Sequence, residues 1–466
     1  MTSTPVANVP RWQQGEVINL TIDNLSNSGD GVGRWQERVV FVANAVPGDR
    51  LQVRLTRVKP TYGHGKWLQI VEPSCDRIRP ACIVADKCGG CQWQAIAYPR
   101  QLQAKELQVQ SALERIGGFK AVPMQSILAA PHPLGYRNKV TYPLAKGSGG
   151  VVKAGYYRQG THQIVNLNQC PIQDETLNPL LVAAKAAIKA RGWSVYDEKK
   201  HQGRLRHLAL RIGHNTGQTL LTLVATGYLS DATEQAKQWL ADHPQLVGVC
   251  LNINSQQTNR VFGAETRCLA GRLYLEERFL GLRMRIQPTT FFQVNTAQAE
   301  ALVKLVLSQL NLQGNETVID TYCGIGTLSL PLAQQVARCI GIEVQAESVA
   351  QARQNAALNG LENTEFFAGA VEDLLLQVSA QQSGPIDVVV LDPPRKGCDR
   401  GVLTALASIS PARIVYMSCN PATLARDLKR LCSRGYDLQM VQPADFFPQT
   451  AHVECVAFLE RAADCT

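Results

Sequence analysis

Three short segments hold side chains that together could carry out covalent chemistry. In IVYMSCNPATLARDL, Cys419 stands between an apolar strand-like run and a helix that can begin with Asn420 as its cap and Pro421 at its first position. A thiol there faces a helix N-terminus, whose positive backbone potential favours the nucleophilic thiolate. An isolated cysteine in a sheet protein is usually a small core hydrophobe, but the end of a strand beside a ligand loop is not a core position. In HVECVAFLE, Glu454 has apolar neighbours on both sides. A partly desolvated carboxyl has a raised pKa and can exchange protons near neutrality, although an exposed edge-strand glutamate is the commoner case on composition. LDPPRKG adds Asp392 at the end of another apolar run, followed by a loop that two prolines make rigid.

A fourth segment describes a ligand site. VIDTYCGIGT puts Asp320 at a strand end and Gly324 and Gly326 in the turn to a helix, while Glu343 ends the next strand. That pattern implies a nucleotide-like ligand at the carboxyl ends of the strands. Only two glycines occur, and an acidic residue precedes the loop, where a pyrophosphate would be repelled. A sulfonium with an amino-acid tail tolerates that carboxylate, which points to S-adenosylmethionine. Glu343 is placed to accept hydrogen bonds from ribose hydroxyls.

Thiols form a further group. Cys82, Cys88 and Cys91 make C-x5-C-x2-C in a loop rich in proline and glycine, and Cys170 precedes Pro171. Four thiolates fit a 4Fe-4S cluster or a zinc ion, and the spacing leaves both open. Cys75 stands outside the set.

These residues need elements to hold them. From Thr296 onward ETVIDTYC, TLSLPLAQQV, RCIGIEV, AESVAQARQNAALNG, PIDVVVLDPP and ARIVYMSC alternate strand with helix, predicting a parallel sheet covered on both faces. Residues 127–290 mix strands such as HLALRIG and TLLTLVATG with helical stretches, an α/β or α+β region. A helix over 99–117 ends at Gly117 and Gly118. Residues 11–71 predict five short strands, Glu16–Ile22, Gly31–Trp35, Arg38–Val42, Leu51–Val58 and Lys66–Val71, a small β-barrel. On it Arg54, Arg57, Lys59, Tyr62, His64, Lys66 and Trp67 mix cations with rings, as needed to pair phosphates and stack bases. The plainer alternative is a solvated barrel face with core aromatics.

The 466 residues exceed a single small module, and 45% hydrophobic with 18% charged residues excludes extensive disorder. No apolar run approaches the roughly 18 residues of a membrane span, and the opening MTSTPVANVPRW lacks the basic and apolar regions of a signal peptide. A cytoplasmic location is expected, so the 14 cysteines read as thiols or metal ligands, not disulfides. The 47 basic residues against 38 acidic ones, net +9, are compatible with a polyanionic partner. Nothing calls for an obligate protein partner.

GDGVGRW, VVFVANAVPGDRLQVRLTRV and GKWLQIVEPS resemble the TRAM module, an OB-like RNA-binding barrel. FFQVN, DTYCGIGT, DPPRKG, SCNPATLARDL and HVE, in this order, resemble the RNA uracil-carbon-5 methyltransferase family over essentially the whole chain. With the barrel and the cysteines, the chain is similar to the bacterial iron-sulfur branch that acts on 23S ribosomal RNA. DPPRKG also resembles the Asp/Asn-Pro-Pro-aromatic loop of amine methyltransferases, but Arg395 replaces the aromatic residue, which counts against amine methylation.

The resemblance implies three parts: a TRAM barrel at 1–72, a middle α/β region with an iron-sulfur loop at 73–290, and a Rossmann-like S-adenosylmethionine-dependent methyltransferase domain at 291–466. The 99–117 helix can pack on the last of these. It implies Cys419 as nucleophile, Glu454 as base, Gln293, Tyr322, Thr327, Glu343 and Asp392 as cofactor or substrate contacts, and Cys82, Cys88, Cys91 and Cys170 as ligands of a structural 4Fe-4S cluster. Ala370 stands where the family often has a polar side chain, leaving only its backbone for contact. The expected partner is 23S ribosomal RNA. The alternatives are uridine methylation in transfer RNA, amine methylation of RNA bases, and a non-enzymatic RNA-binding iron-sulfur protein.

Overall fold

Alternating apolar and polar residues build the first strands of the computed structural model, which describes residues 12–462. The first eleven residues of the expected segment 1–72 and the last four of 291–466 lie outside the described residues. Strands β1 (Val17–Thr21), β2 (Asn24–Leu25), β3 (Gly31–Trp35), β4 (Arg38–Val42), β5 (Arg50–Val58) and β6 (Tyr62–Glu72) form a six-stranded sheet in the order β1-β5-β6-β4-β3-β2. Every second residue, among them Ile18, Leu20, Val40, Val42, Val53 and Leu55, enters its core. Gly33 closes β3 onto β1: a Cβ there would lie 2.2 Å from the Thr21 carbonyl oxygen.

Two strand expectations change. The two-residue β2 is too short for alternation to register. The last strand starts at Tyr62, not Lys66, because Gly63 and Gly65 mask the strand propensity of a segment that pairs with β4.

The chain divides into two compact units, one reaching to Gln108 and including Phe447–His452, the other holding Val109–Phe446 and the chain from Val453. In the first unit the buried Asp49 ties the barrel to the cysteine-bearing loop. Its carboxylate accepts from the Val46 amide at 2.7 Å, the Ser74 amide at 3.0 Å and Arg77 Nε at 3.0 Å. Burial raises its pKa, yet the Arg77 and backbone hydrogen bonds outweigh that and hold it below the usual value.

Helix α1 (Tyr98–Ala112) passes into a π-helical turn, Leu113–Gly117, that stops at Gly118 with φ 76°. In the second unit Val109 and Leu113 join the core that also holds Leu424 and Leu428. A middle sheet follows: β7 (Lys139–Lys146), β8 (Val152–Ala154), β9 (Leu205–Ile212), β10 (Thr219–Ala225), β11 (Leu246–Ile253) and β12 (Glu265–Gly271), in the order β12-β11-β10-β9-β7-β8. Its pairs are antiparallel except β10 with β11. Helices α2 (Leu177–Ala190) and α3 (Ala232–Asp242) pack on it, and the hairpin β13 (Leu275–Phe279) and β14 (Leu282–Ile286) follows.

The last sheet positions the chemistry. After α4 (Thr296–Leu310) come β15 (Thr317–Thr321), α5 (Ser329–Ala333), β16 (Arg338–Glu343), α6 (Ala346–Leu358), β17 (Thr364–Ala368), α7 (Val371–Ala380), β18 (Val388–Leu391), α8 (Arg400–Ile409), β19 (Arg413–Ser418), α9 (Pro421–Cys432), β20 (Tyr436–Ala444) and β21 (Glu454–Arg461). The strand order is β17-β16-β15-β18-β19-β21-β20. The first five are parallel and reverse direction of progression between β15 and β18, which opens a crevice at their carboxyl ends. The expected parallel strands are so arranged, and beyond them β21 runs antiparallel between β19 and β20. HVECVAFLE is therefore an interior strand, and an apolar strand reads the same whether its neighbours run with it or against it. Among the described residues no helix is long and apolar enough to cross a membrane.

Candidate active site

The turn after β15 departs from ordinary backbone geometry. Tyr322 takes φ 63°, followed by Gly324 at 55° and Gly326 at 88°; for a bulky aromatic residue this is a strained conformation. Glu343, at the end of β16, braces the turn: one carboxylate oxygen accepts from the Gly324 amide at 3.2 Å and the other from the Gln345 amide at 2.8 Å. Lone pairs remain on both oxygens for a ligand.

Beside this turn a pocket with about 560 Å³ of empty space is lined by Gln293, Tyr322, Thr327 and Asp392, together with Asp320, Phe291, Met417 and Phe446. Four residues singled out in the sequence thus share one lining, while Glu343 stands behind the turn. Ala370 precedes α7 in extended conformation, and its carbonyl accepts from the Leu374 amide at 3.1 Å.

Asp320 is a lining residue that the sequence reading placed only as a strand end. It is buried, accepts from the Ser329 hydroxyl, and burial, with the nearby Asp392 and Glu343 charges, pushes it up to about 7. Phe291, 65% exposed, belongs to the quoted FFQVN; Met417 and Phe446 lie in apolar runs that read as core.

Cys419 follows β19 and Glu454 opens β21. The antiparallel register pairs Arg413 with Glu460 through Ser418 with Cys455, so Cys419 and Glu454 each lie one residue past its last pair, near enough for the Glu454 charge to act on the thiol. Asn420 caps α9, accepting from the Ala422 amide at 3.1 Å. Its amide also donates to the Arg395 carbonyl at 3.1 Å, and the Thr423 hydroxyl reaches the same oxygen at 3.4 Å. Arg426 donates to the Lys396 carbonyl at 3.0 Å. The DPPRKG loop is in this way stitched to the helix start that carries Cys419.

Behind it lies the buried Asp427, which accepts from Arg426 at 2.8 and 3.0 Å, from the Tyr416 hydroxyl at 2.8 Å and from the Cys398 amide at 3.1 Å.

The electrostatics revise the expectation of a resting thiolate. Burial raises the Cys419 pKa first, the Glu454 and Asp392 charges raise it further, and Arg395 opposes them. The net shift is upward, because half-burial between two carboxyls outweighs the helix N-terminus. Burial and then Asp392 push Glu454 up to about 8, again against Arg395, and burial pushes Asp392 up to about 6. Asp392 thus connects the pocket to the Cys419–Glu454 pair, and Arg395 is the cation whose charge both of those side chains feel.

The cysteine set is divided. Cys82, Cys88 and Cys91 lie in the first unit and Cys170 in the second. The Gly90 amide donates to Cys88 Sγ at 3.5 Å and Gln94 Nε2 to Cys91 Sγ at 3.7 Å, the kind of N–H contact that tunes cluster sulfurs. Among the described residues no group of three or more His, Cys, Asp or Glu is arranged to hold a metal ion. Cys75 is exposed.

On the barrel the Phe41 ring stacks on His64 at 5.3 Å and meets Tyr62 edge-on at 6.2 Å, while the Arg38 guanidinium lies 5.3 Å from the Trp12 ring. Trp67 instead packs on the barrel core.

Residues 97–462 match the family described as tRNA (Uracil-5-)-methyltransferase. The chain belongs to that family. Residues 11–68 match the TRAM domain. The chain is 59% identical over 450 residues to a protein of Nostoc sp. (strain PCC 7120 / SAG 25.82 / UTEX 2576), covering 96% of this chain and 97% of that one. A protein of Halalkalibacterium halodurans is 40% identical over 451 residues, 96% and 97% of the two chains. Both carry the name "uncharacterized RNA methyltransferase". The crystal structure of Pyrococcus abyssi tRNA (uracil-54, C5)-methyltransferase in complex with S-adenosyl-L-homocysteine superposes with a TM-score of 0.75 at 28% identity, covering 95% of this chain and all of that one. The protein is thus an RNA methyltransferase with an N-terminal TRAM barrel and a C-terminal methyltransferase fold.

Proposed function

We propose that this enzyme methylates carbon 5 of a specific uridine in 23S ribosomal RNA through a covalent Cys419 adduct at carbon 6. The observation that carries this reading is the placement of Cys419 near Glu454, with Asp392 joining the pair to the pocket. Amine methylation needs neither a thiol nor a base in that relation.

The pocket suits S-adenosylmethionine, which supplies an electrophilic methyl group when bound. Asp320 and Asp392 offer carboxylates to a sulfonium and an amino-acid ammonium, Gln293 and Thr327 offer polar contacts, Tyr322 offers a ring, and Glu343 has lone pairs for ribose hydroxyls. The S-adenosyl-L-homocysteine bound to the Pyrococcus abyssi protein supports this choice.

The chain's own residues act at two atoms of the base. Cys419 loses its proton and adds through Sγ to carbon 6, which turns the ring into an enolate with carbon 5 nucleophilic. Once carbon 5 carries the methyl, the Glu454 carboxylate removes its hydrogen, the carbon 6–sulfur bond breaks, and the 5,6 double bond returns. Asp392 orients the ring N–H or the methionine amine.

In this reading residues 1–72 grip RNA through the Phe41, Tyr62 and His64 rings and nearby cations, 73–290 carry the cluster loop, and 291–466 perform catalysis. Cys82, Cys88, Cys91 and Cys170 ligate a structural 4Fe-4S cluster. The enzyme works in the cytoplasm. A second reading, uridine in transfer RNA, is favoured by the likeness to the Pyrococcus abyssi enzyme.

The test is nucleoside mass spectrometry after incubating the purified protein and S-adenosylmethionine with unmodified 23S ribosomal RNA and, separately, transfer RNA. 5-Methyluridine in the 23S RNA alone is expected. 5-Methyluridine in transfer RNA alone moves the target to the second reading, and N-methylated bases in place of 5-methyluridine would overturn both.

A further inference from the structure

Beside the pocket lies a patch of cations without carboxylates to match them. Lys139 on β7 is the register partner of Arg211 on β9, so both side chains leave the same face of the middle sheet. Arg137, two residues before it and outside β7, bends back onto it: its Nε donates to the Lys139 carbonyl at 3.1 Å, and its charge acts on the Lys139 ammonium. Arg211 is 4% exposed. It donates to the Thr290 carbonyl at 2.7 Å, yet its Nε is buried with no acceptor. The Lys139 ammonium lies 5.2 Å from the Phe262 ring. Among the described residues no salt bridge reaches any of the three cations. Burial and the charges of Arg211 and Arg137 push Lys139 down to about 6. Burial and its two cationic neighbours thus leave Lys139 mostly uncharged at neutral pH, and an anion placed among the three draws a proton onto it and offsets the repulsion.

The position of the patch says which anion. Asn138, between Arg137 and Lys139, donates its side-chain amide to the Gln293 carbonyl and the Thr296 hydroxyl, both at 2.8 Å, and its backbone N–H to the Val294 carbonyl at 2.8 Å. Arg211 holds Thr290 of the same segment. That segment sends Phe291 and Gln293 into the pocket lining. The cations are therefore fastened to the segment that walls the cofactor pocket, on the approach to the Cys419–Glu454 pair where the target base reacts.

We propose that Arg137, Lys139 and Arg211 bind a backbone phosphate of the RNA strand next to the nucleotide that reaches Cys419. Two guanidinium forks and an ammonium match the oxygens of a phosphodiester. The inference rests on the reading above that the substrate is RNA, and it adds the contact that holds the strand beside Cys419.

The experiment measures binding of a short fluorescent oligouridylate to the full-length protein, saturated with S-adenosylhomocysteine, by anisotropy at increasing potassium chloride. Arg137→Gln and Lys139→Gln should each weaken binding several-fold and reduce the slope of log Kd against log salt by about 0.7, the value for one lost phosphate contact on a single strand. Lys139→Arg should restore most of the affinity. Arg211 is buried, so Arg211→Lys is used there, with S-adenosylhomocysteine affinity and the melting curve reporting an intact fold. Unchanged affinity and slope in the Arg137→Gln, Lys139→Gln double variant would overturn the patch while leaving the RNA reading in place. A native protein that neither binds the oligouridylate nor methylates RNA would sink both.

Discussion

Cys419 and Glu454 each lie one residue beyond the Ser418–Cys455 pair that ends the antiparallel β19–β21 register. Glu454 is the larger charge effect on the Cys419 thiol after burial. A nucleophile and a base held by one strand pair keep their separation fixed, which suits two groups that must act in sequence on adjacent atoms of one ring. The arrangement also keeps the thiol protonated until a substrate displaces water and alters its surroundings.

The two residues control different steps. Cys419→Ala should abolish methylation and all covalent attachment to RNA. Glu454→Gln should allow attack and methyl transfer but block elimination, so methylated RNA stays attached to Cys419. A denaturing gel should show a slow-migrating species with methyl label, absent from the Cys419→Ala, Glu454→Gln double variant. Free turnover by Glu454→Gln would show that another base acts.

The pH dependence of elimination should follow Glu454. Its carboxyl is raised to about 8, so the basic form is scarce below that value and gains as pH rises through it. The decay of the trapped adduct in the native enzyme, followed by rapid quench, should speed up about tenfold per pH unit between 6 and 7 and level off above about 8. A decay rate independent of pH from 6 to 9 would exclude this proton transfer.

Asp320 should trade stability against ligand binding. Its folded pKa of about 7 lies above its ordinary value, so the stability it contributes is complete below about pH 4 and is lost as pH rises through 7. Asp320→Asn should therefore match the native melting temperature at pH 4 to 5 and exceed it by several degrees at pH 8. The same change removes a negative charge from the pocket, and calorimetry should show weaker S-adenosylmethionine binding, about tenfold or more at pH 8.

Asp427 should act on Cys419 through the helix that carries it. Asp427→Ala strips the partners from Arg426, the Tyr416 hydroxyl and the Cys398 amide, a loss of about 1–3 kcal/mol for the buried hydroxyl and amide left without an acceptor. Asp427→Asn keeps an acceptor and should cost less stability while lowering kcat more than it changes KM. Equal kcat in Asp427→Asn and the native enzyme would mean the node supports the fold alone.

The cysteine proposal has a direct chemical test. Protein purified without oxygen should be brown and hold about four irons per chain. Serine at Cys82, Cys88, Cys91 or Cys170 should remove the iron, whereas Cys75→Ser should keep it. Metal analysis that finds one zinc and no iron would replace the cluster with a zinc site.

Much of this protein is local and therefore readable in one dimension. The period-two barrel strands, the alternation of strand and helix after Thr296, the Asn420-Pro421 helix start and the glycine turn after Asp320 all depend on neighbours within a few residues. Tyr322, Thr327 and Asp392 share a lining because each follows a strand of the parallel sheet, whose carboxyl ends lie together. Gln293, seven residues past the β13–β14 hairpin, could instead be named only through the family resemblance. Tertiary structure alone decided the rest. The insertion of β21 between β19 and β20 follows from pairing between segments far apart in sequence, and it sets Glu454 against Cys419. The upward shift of the Cys419 thiol comes from carboxyls 27 and 35 positions away, Asp392 and Glu454, a field that no local motif carries. Among the unmatched basic residues, Arg211 lies more than seventy positions from Arg137 and Lys139 and meets them only through the β7–β9 register. Helix starts and strand periods are written in short-range sterics, whereas pKa values and charge clusters depend on distances in space that folding alone creates.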